Sequence, residues 1–325
     1  MTSRFISEWI RNFLDQHPTR AKSLIITVYG DLIAAHGGTV WLGSFIRLMS
    51  PLGLNERTVR TSVYRLSQEK WLVSEQRGRK SHYSLTPSGR RRFEHAYRRI
   101  YFEPLHSWAG EWQLVMIPSS LDGAQRDALR QELVWAGYGT LAPGMLAHPS
   151  ADSAALLDIL EEIGAHDRVV ALKANNLGPM TARPLLEIVR DCWNLDALAA
   201  RYDEFIDLFR PVLRSMRALG KPDPQQCFLI QTLLMHSFRR VLRHDPQLPP
   251  QLLPANWSGG IARGLCRDLY RVTCPLAQQH LRSVCETVNG VLPAADVDFF
   301  RRFGGLEQPA MPDLSGTGTG KQRVK

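Results

Sequence analysis

The stretch that decides the fold is residues 55–73, "NERTVRTSVYRLSQEKWLV". At 100° per residue, Val59, Val63 and Leu66 fall on one face of a helix, which predicts the side that packs on a core. The opposite face carries arginine, threonine, tyrosine and glutamine, while Glu56 and Glu69 stand at the two ends. A solvated surface helix usually mixes both charge signs. The neighbouring segments must therefore decide between an ordinary solvated face and a binding surface.

Three helices are predicted before this stretch. Apolar side chains at helical spacing mark 5–14, a segment from residue 24 that ends at Gly37, and 42–49. Asn55 is the predicted N-cap of the helix in the quoted stretch, because its side chain can accept a hydrogen bond from an early backbone amide.

A hairpin and a further helix are predicted after the stretch. Alternating apolar side chains after Leu72 and before Thr86 predict two strands, joined by the tip "RGRK" (77–80), where Gly78 can take a positive φ. Thr86 and Pro87 are typical of an N-cap and a first helical residue. Helix, helix, turn, helix, hairpin, helix is the order of a winged helix-turn-helix domain.

The positive charge is concentrated in the first third of the chain. The net charge is +9, and residues 1–100 hold 17 Lys and Arg against 7 Asp and Glu. Residues 101–325 hold 23 against 24. A basic first domain on a neutral body indicates a polyanionic partner held by that domain.

Duplex DNA is the polyanion that suits this helix. Arginine and glutamine can form bidentate hydrogen bonds with guanine and adenine in the major groove. Cations beside such a helix contact phosphates and set its register on the duplex. The predicted DNA-binding residues are Asn55, Arg57, Arg60, Thr61, Tyr64, Arg65, Gln68, Arg77, Arg79 and Lys80.

The middle of the chain alternates between strands and helices. Strands are predicted over 111–118 and 168–175, with two helices and an extended, turn-rich segment between them. This order predicts a small α+β domain, ferredoxin-like in type.

The last part of the chain is predicted to be mainly helical. Helical patterns cover roughly 184–219, 224–243 and 260–290. The segment "HDPQLPPQLLPANWSGG" (244–260) holds four prolines, which is too many for a helix. The Gly/Ser/Thr-rich end "SGTGTGKQRVK" is predicted to be disordered.

Other sequence features predict a cytoplasmic protein. The five cysteines are widely spaced and form no CxxC pair, which predicts reduced thiols and neither a disulfide framework nor a zinc site. No apolar run approaches the ~18 residues that span a bilayer. The sequence holds no P-loop, GxSxG or HExxH motif, so no common catalytic motif is predicted.

Three separated stretches carry a family resemblance. They are "VWLGSFIRLMSPLGLNERTVRTSVYRLSQEKWLVSEQRGRKSHYSLTPSGRRR" (40–92), "WAGEWQLVMIP" (108–118) and "HDPQLPPQLLPANWSGGIARGLCRDLY" (244–270). Together they resemble the PaaX family of bacterial repressors, which control the phenylacetate degradation operon. The resemblance covers roughly 22–290. It implies a dimeric repressor with an amino-terminal winged helix, a ferredoxin-like middle domain and a helical carboxy-terminal domain. It also implies an inducer, phenylacetyl-CoA, whose binding releases the DNA.

The predicted fold class is therefore a multidomain α+β protein. The predicted parts are an amino-terminal helix (1–21), a winged helix-turn-helix DNA-binding domain (22–104), a ferredoxin-like middle domain that dimerises (105–178), a helical effector-binding domain (179–305) and a disordered tail (306–325).

A candidate effector site lies in "MHSFRRVLRHDP" (235–246). An acyl-CoA needs cations and helix N-terminal amides for its phosphates, and an aromatic or apolar surface for the rest. The predicted effector-binding residues are His236, Arg239, Arg240, Arg243 and Trp257. The alternative is that these arginines pair with carboxylates such as Asp245 and Asp268, and that Trp257 is part of the core.

Two other functions remain open from the sequence. The middle domain also resembles the ferredoxin-like, metal-dependent nuclease subunit of CRISPR adaptation systems, whose chains place an aspartate directly after the first strand. Here that strand ends in "VMIPSS", and the first acid is Asp122. We therefore predict no metal site, no catalytic residue and no bound cofactor. The alternatives are a metal-dependent nuclease and a non-specific architectural DNA binder.

Overall fold

The computed structural model describes residues 2–102, 108–149, 153–175 and 185–307. The predicted domain boundaries after residues 104 and 178 lie outside the described residues, as does the predicted disordered tail beyond residue 307.

Helices make up most of the described chain. They are α1 (Thr2–Gln16), α2 (Ala21–Val28), α3 (Leu42–Met49), α4 (Glu56–Gln68), α5 (Pro87–Tyr101), α6 (Gly123–Trp135), α7 (Ser153–Ile163), α8 (Leu185–Trp193), α9 (Leu195–Ala218), α10 (Pro224–Leu242), α11 (Ser258–Val284) and α12 (Val297–Phe300).

The strands pair in antiparallel sheets. They are β1 (Thr39–Trp41), β2 (Leu72–Arg77), β3 (Lys80–Leu85), β4 (Glu111–Met116), β5 (Gly139–Ala142), β6 (Met145–His148), β7 (Val170–Asn175), β8 (Glu286–Thr287) and β9 (Gly290–Val291). The sheet orders are β1-β3-β2, β5-β6-β4-β7 and β8-β9.

The amino-terminal part contains the predicted order of helices and hairpin, with one strand more. The helix that begins with α2 continues through a π-helical turn and a 3-10 turn to His36, and ends at Gly37, which has φ 86°. The strand β1 pairs with β3 through Val40 opposite Tyr83. Sequence reasoning missed β1, because three residues are too few to show a periodic pattern.

The middle part follows the predicted alternation. The strands β4 and β7 lie within the predicted ranges, and the extended segment between the two helices forms the β5–β6 hairpin. Leu129 and Leu133 of α6 and Leu160 of α7 pack with Val115 and Leu146 of the sheet in one core. The two helices therefore cover one face of the sheet.

Two predicted helices in the carboxy-terminal part have different bounds. The predicted helix 184–219 is split into α8 and α9 at Asn194, which has φ 44° and accepts a hydrogen bond from Ala197 N. The predicted helix 260–290 ends at Val284, and its last residues enter the β8–β9 hairpin instead.

One continuous core joins the two ends of the chain. Leu24 of α2 and Phe45 of α3 belong to the same buried cluster as Phe209, Phe228 and Leu269 of α9, α10 and α11. The basic amino-terminal part, which runs from α1 to α5, therefore packs directly against the helical body formed by α9, α10 and α11.

The proline-rich segment connects the body with the middle sheet. Leu248 and Leu252 pack with Trp112 of β4 in a separate small core.

None of the helices in the described residues is both long and apolar enough to cross a membrane.

Candidate nucleic-acid interface

The helix α4 is held in place by its cap and its apolar face. Asn55 Oδ1 accepts a hydrogen bond from Thr58 N at 2.8 Å, which confirms the predicted N-cap. Val59, Val63 and Leu66 are at most 1% exposed, which confirms the predicted core face. Because this face is buried, the opposite face points outward.

The predicted DNA-binding side chains of this region are exposed. They are Asn55, Arg57, Arg60, Thr61, Tyr64, Arg65 and Gln68. Tyr64 is 61% exposed, which is unusual for a large aromatic side chain. The structure therefore brings the predicted α4 residues together on one accessible surface.

Arg60 has a partner that the sequence analysis did not assign. Its Nη2 lies 2.7 Å from Glu56 Oε1, one turn earlier on the same helix. An exposed pair of this kind contributes about 0.3–0.5 kcal/mol. A bidentate contact between arginine and guanine is worth about 1–3 kcal/mol of base discrimination. Because this is more than the pair with Glu56 contributes, the pair does not prevent the guanidinium of Arg60 from contacting a base.

The hairpin tip carries the other predicted residues. Arg77 lies opposite Lys80, so Gly78 and Arg79 form a two-residue turn in which Gly78 has φ 59°. Arg77 Nε lies 2.7 Å from Glu75 Oε1, and Arg79 is exposed at the tip. The tip is therefore basic and accessible, as predicted.

Lys80 is bound to the carboxy-terminal part of the chain. Its Nζ donates a hydrogen bond to Glu286 Oε2 at 2.8 Å. Arg47 of α3 contacts the same carboxylate, and both cations lie over the ring of Trp41. The sequence analysis missed Arg47, Trp41 and Glu286, and the only signal for Arg47 was its place in the basic first hundred residues.

The arginines at the start of α5 extend the basic surface. Thr86 Oγ1 accepts a hydrogen bond from Gly89 N at 2.9 Å, which confirms the predicted cap. Arg90, Arg91 and Arg92 are exposed, and Arg92 lies 4.9 Å above the ring of Trp71.

A buried polar network fixes this surface to the body. Arg302 and Asp31 are each 2% exposed and form an ion pair at 3.2 Å. Gln231 and Tyr270 donate hydrogen bonds to the same carboxylate at 3.0 and 3.1 Å, and Tyr101 also donates to it. Burial raises the pKa of Tyr101 and of Tyr270 well above the usual range, so both remain neutral donors.

The predicted effector residues His236 and Arg239 lie at the contact between α10 and α2. His236 Nδ1 is 3.3 Å from Thr27 Oγ1, and Arg239 donates a hydrogen bond to the same oxygen at 3.1 Å. Burial, and then the neighbouring arginines, lower the pKa of His236 to about 4. His236 is therefore neutral at pH 7.

The other predicted effector residues lie elsewhere. Arg240 and Arg243 are exposed, whereas Trp257 is half-buried and packs edge-on against Tyr202 at 5.9 Å. The structure therefore divides the predicted effector set into a contact with α2, an exposed cationic pair and an aromatic side chain at the edge of the core.

The two carboxylates considered as alternative partners of the effector arginines are bonded to other groups. Asp268 pairs with Arg217 and Arg267 at 3.0 and 3.1 Å, and Asp245 accepts a hydrogen bond from Tyr202. Among the described residues, Arg240 and Arg243 form no ion pair with either of them.

The middle part shows no arrangement for metal chemistry within the described residues. Asp122 caps α6 by accepting a hydrogen bond from Gln125 N at 2.8 Å. No group of three or more His, Cys, Asp or Glu side chains able to hold a metal ion occurs in the part of the chain that the structure describes.

The fold and this surface define a class of protein. It is a mixed helix-and-sheet protein in which an exposed basic helix and hairpin, the features of a nucleic-acid-binding surface, lie beside a larger neutral body.

Comparisons with known proteins identify the family within this class. Three family models match successive parts of the chain: "PaaX-like protein" at 20–89, "PaaX protein central Cas2-like domain" at 105–186 and "PaaX-like protein C-terminal domain" at 193–283. The chain is 38% identical over 309 residues to "Transcriptional repressor PaaX" of Escherichia coli (strain K12), covering 94% of this chain and 98% of that protein. The chain belongs to the PaaX family.

A solved structure shares the fold. It is the "Uncharacterized protein Rv0674 from Mycobacterium tuberculosis", with a TM-score of 0.51 and 24% identity, and the match covers 80% of this chain and 98% of that one.

The family match confirms the predicted resemblance to the PaaX family. It also confirms the predicted class of a transcription regulator rather than an enzyme, since the Escherichia coli relative is a transcriptional repressor.

Proposed function

We propose that the protein is a sequence-specific repressor of phenylacetate catabolism genes that binds operator DNA through α4. The observation that carries this proposal is the exposed face of α4, which presents Arg57, Arg60, Tyr64 and Gln68 on a helix whose other face is fully buried. Such a helix enters the major groove, and the β2–β3 hairpin beside it contacts the DNA backbone.

In this proposal residues 22–104 are a winged helix-turn-helix domain. Support comes from the order of α2, α3 and α4, followed by the paired strands β2 and β3 with their basic tip. Residues 105–178 are a ferredoxin-like domain. Its support is the succession β4, α6, β5, β6, α7, β7, with the antiparallel order β5-β6-β4-β7.

The repressor acts as a homodimer on an inverted repeat, since a symmetric dimer matches a palindromic site. Support comes from an exposed apolar row on the middle sheet, where Met116 lies opposite Val170 and Leu172 is two residues further. These side chains are 40%, 53% and 46% exposed. An apolar patch of this kind is typical of a protein interface.

Light scattering tests the dimer. We expect a particle of twice the 36.8 kDa chain mass, and we expect Leu172→Glu to shift it towards the monomer. A wild-type protein that stays monomeric both free and on DNA would contradict the dimer.

The proposed effector is an aryl-acyl-CoA, namely phenylacetyl-CoA. It binds the repressor in the cytoplasm and causes it to release the DNA. The effector's phosphates bind Arg240 and Arg243, which are exposed and belong to the stripe formed by His236, Arg239, Arg240 and Arg243 at the carboxy-terminal end of α10. Beneath them, His236 and Arg239 contact Thr27 of α2, which belongs to the DNA-binding part. Ligand binding at this stripe can therefore act on the amino-terminal part through α10.

A shift assay with the protein's own upstream DNA tests the function. We expect retention of the operator by wild type, and release on addition of phenylacetyl-CoA but not of free CoA. The coupling should amount to about 1–3 kcal/mol, and the operator must weaken thioester binding by the same factor. Arg240→Ala should bind operator normally but resist release. Equal thioester affinity of Arg240→Ala and wild type would exclude the α10 site.

The same assay separates the repressor from a non-specific architectural DNA binder. A repressor prefers its operator to a random duplex at the same salt concentration, because only base contacts and sequence-dependent DNA shape distinguish the two. Equal affinity for both duplexes would support the architectural function instead.

A further inference from the structure

Three charged side chains meet where the hairpin contacts the body. Lys80 Nζ lies 2.8 Å from Glu286 Oε2, and Arg47 Nη2 lies 3.1 Å from Glu286 Oε1. Arg47 belongs to α3, Lys80 to β3 and Glu286 to β8. The carboxylate therefore comes from the body, while both cations come from the basic amino-terminal part.

Trp41 is the platform on which the two cations are placed. Lys80 Nζ is 4.1 Å and Arg47 Cζ is 5.1 Å from the centroid of its ring. A cation over an aromatic face is attracted by the ring quadrupole. The ring thus holds two like charges close together, which repel each other unless an anion lies between them.

Glu286 supplies that anion, but it does not neutralise the cluster. One carboxylate faces two cations, so a net positive charge remains. The side chains of Arg47, Lys80 and Glu286 are 52%, 49% and 39% exposed, so another anion can reach them from solvent. Hydrogen bonds from Lys80, and then from Arg47, lower the pKa of Glu286, which keeps it ionised.

The arrangement matches the acceptor geometry of a phosphodiester. Each carboxylate oxygen accepts from a different cation, and the two non-bridging oxygens of a DNA phosphate can do the same. Lys80 also adjoins the turn of Gly78 and Arg79, which the proposed function places against the DNA backbone.

We propose that Arg47, Lys80 and Trp41 form a binding site for a DNA backbone phosphate, and that Glu286 occupies this site in the DNA-free protein. The site rests on the proposed function, because it is used when α4 docks on DNA. Glu286 is an internal competitor that DNA must displace.

The position of Glu286 depends on the body of the protein. It lies two residues after the end of α11, and its backbone N–H donates a hydrogen bond to Ser44 Oγ at 3.1 Å. Arg47 also donates to the carbonyl of Val284, the last residue of α11, at 3.4 Å. A shift of α11 relative to α3 would move the carboxylate relative to both cations. The competition between Glu286 and phosphate is therefore set by the arrangement of the body.

The test is fluorescence anisotropy of the full-length protein on operator and random duplexes over a range of salt concentrations. Glu286→Gln should bind both duplexes several-fold more tightly at low salt, because the competing charge is lost. Arg47→Gln and Lys80→Gln should each weaken both duplexes and reduce the salt slope by about 1. In the Arg47→Gln/Lys80→Gln background, Glu286→Gln should have no effect.

Asp268→Asn is the matched control. Asp268 also accepts from two cations, Arg217 and Arg267, but it lies within the helical body. The Asp268→Asn change removes one negative charge, as Glu286→Gln does, and we expect this variant to bind DNA with wild-type affinity. Thermal unfolding of every variant checks that the fold is retained.

Several outcomes would overturn the phosphate site. They are a Glu286→Gln protein that binds no more tightly than Asp268→Asn, a gain that persists without Arg47 and Lys80, and a loss of DNA affinity in Glu286→Gln. Failure of the proposed function has a different signature, which is a wild-type protein without preference for operator over random duplex. The random duplex still tests the phosphate site in that case.

Discussion

Three arginines of this protein differ mainly in burial. Arg60 is exposed and pairs with a neighbour on its own helix, whereas Arg239 is half-buried and donates to Thr27. Arg302 is 2% exposed and pairs with Asp31. An exposed arginine can exchange its partner for a DNA phosphate or base at little cost in free energy. A buried arginine that loses its partner would be left desolvated and uncompensated, so it has to keep that partner.

Arg60→Ala should relax the base preference at one operator position. We expect a loss of about 1–3 kcal/mol in discrimination there, because a bidentate contact with a base edge is removed. Anisotropy titrations on operators with single base-pair changes measure this effect. Arg217→Ala, in the helical body, is the control. Unchanged preference at every position would show that Arg60 does not face the bases.

His148 should make the protein less stable in mild acid. Burial lowers its pKa from 6.5 to about 4, and its Nε2 donates to the carbonyl of Pro246. Between these pH values the unfolded chain binds a proton that the folded protein does not. Stability is therefore retained above pH 6.5 and lost as the pH falls towards 4. The expected loss from pH 7 to 5 is about 2 kcal/mol for this group.

Urea unfolding at pH 7, 6 and 5 measures this loss. His148→Gln cannot be protonated, so its stability should fall less than that of wild type over the same range. His236 has a similarly lowered pKa and should supply part of the remaining decrease. An identical fall in both proteins would show that His148 does not contribute.

At the scale of the element, α4 separates stability from binding on its two faces. Leu66 is 1% exposed, while Tyr64 is 61% exposed only two residues away. One face packs in the common core with the body helices, and the other is exposed to solvent. The same helix can therefore be tested for each property independently.

Leu66→Ala should lower the free energy of unfolding by about 2–5 kcal/mol, since it leaves a cavity in the core. Tyr64→Ala should change stability by less than about 0.5 kcal/mol, because it is a surface change, and should weaken operator binding. Thermal unfolding and DNA titration of both variants provide the comparison. A large stability loss in Tyr64→Ala would contradict the assigned faces.

At the scale of the whole molecule, the basic amino-terminal part and the helical body share one core. Asp31 follows α2, and it is bonded to Gln231 of α10, Tyr270 of α11 and Arg302 near the last described residues. This network crosses between the two ends of the chain. We therefore expect these two parts to unfold together.

Asp31→Asn should lower stability by about 3–5 kcal/mol, because Arg302 would remain buried without its charged partner. Asp298→Asn is the control, since its pair with Arg301 is about 70% exposed and contributes little. Urea unfolding followed by circular dichroism measures both. A double variant with Arg302→Met should recover part of the loss; additive losses would show that the two charges do not interact.

The local features were predictable from the sequence. The two faces of α4, the caps at Asn55 and Thr86, and the tip at Gly78 depend on residues a few positions apart, and the structure confirms them. The alternation of strands and helices in the middle part was also visible, because periods of 2 and 3.6 residues are local patterns.

The long-range contacts were decided only by the tertiary structure. Lys80 lies next to Glu286 although 206 residues separate them, and Arg239 is turned towards Thr27 across 212 residues. A sequence pattern shows which residues share a face, but not which distant element covers that face. The sequence alone determined that the first third is a basic helix-and-hairpin surface. The tertiary structure decided which of its cations remain exposed and unpaired, because burial and ion pairing depend on the element that packs against them.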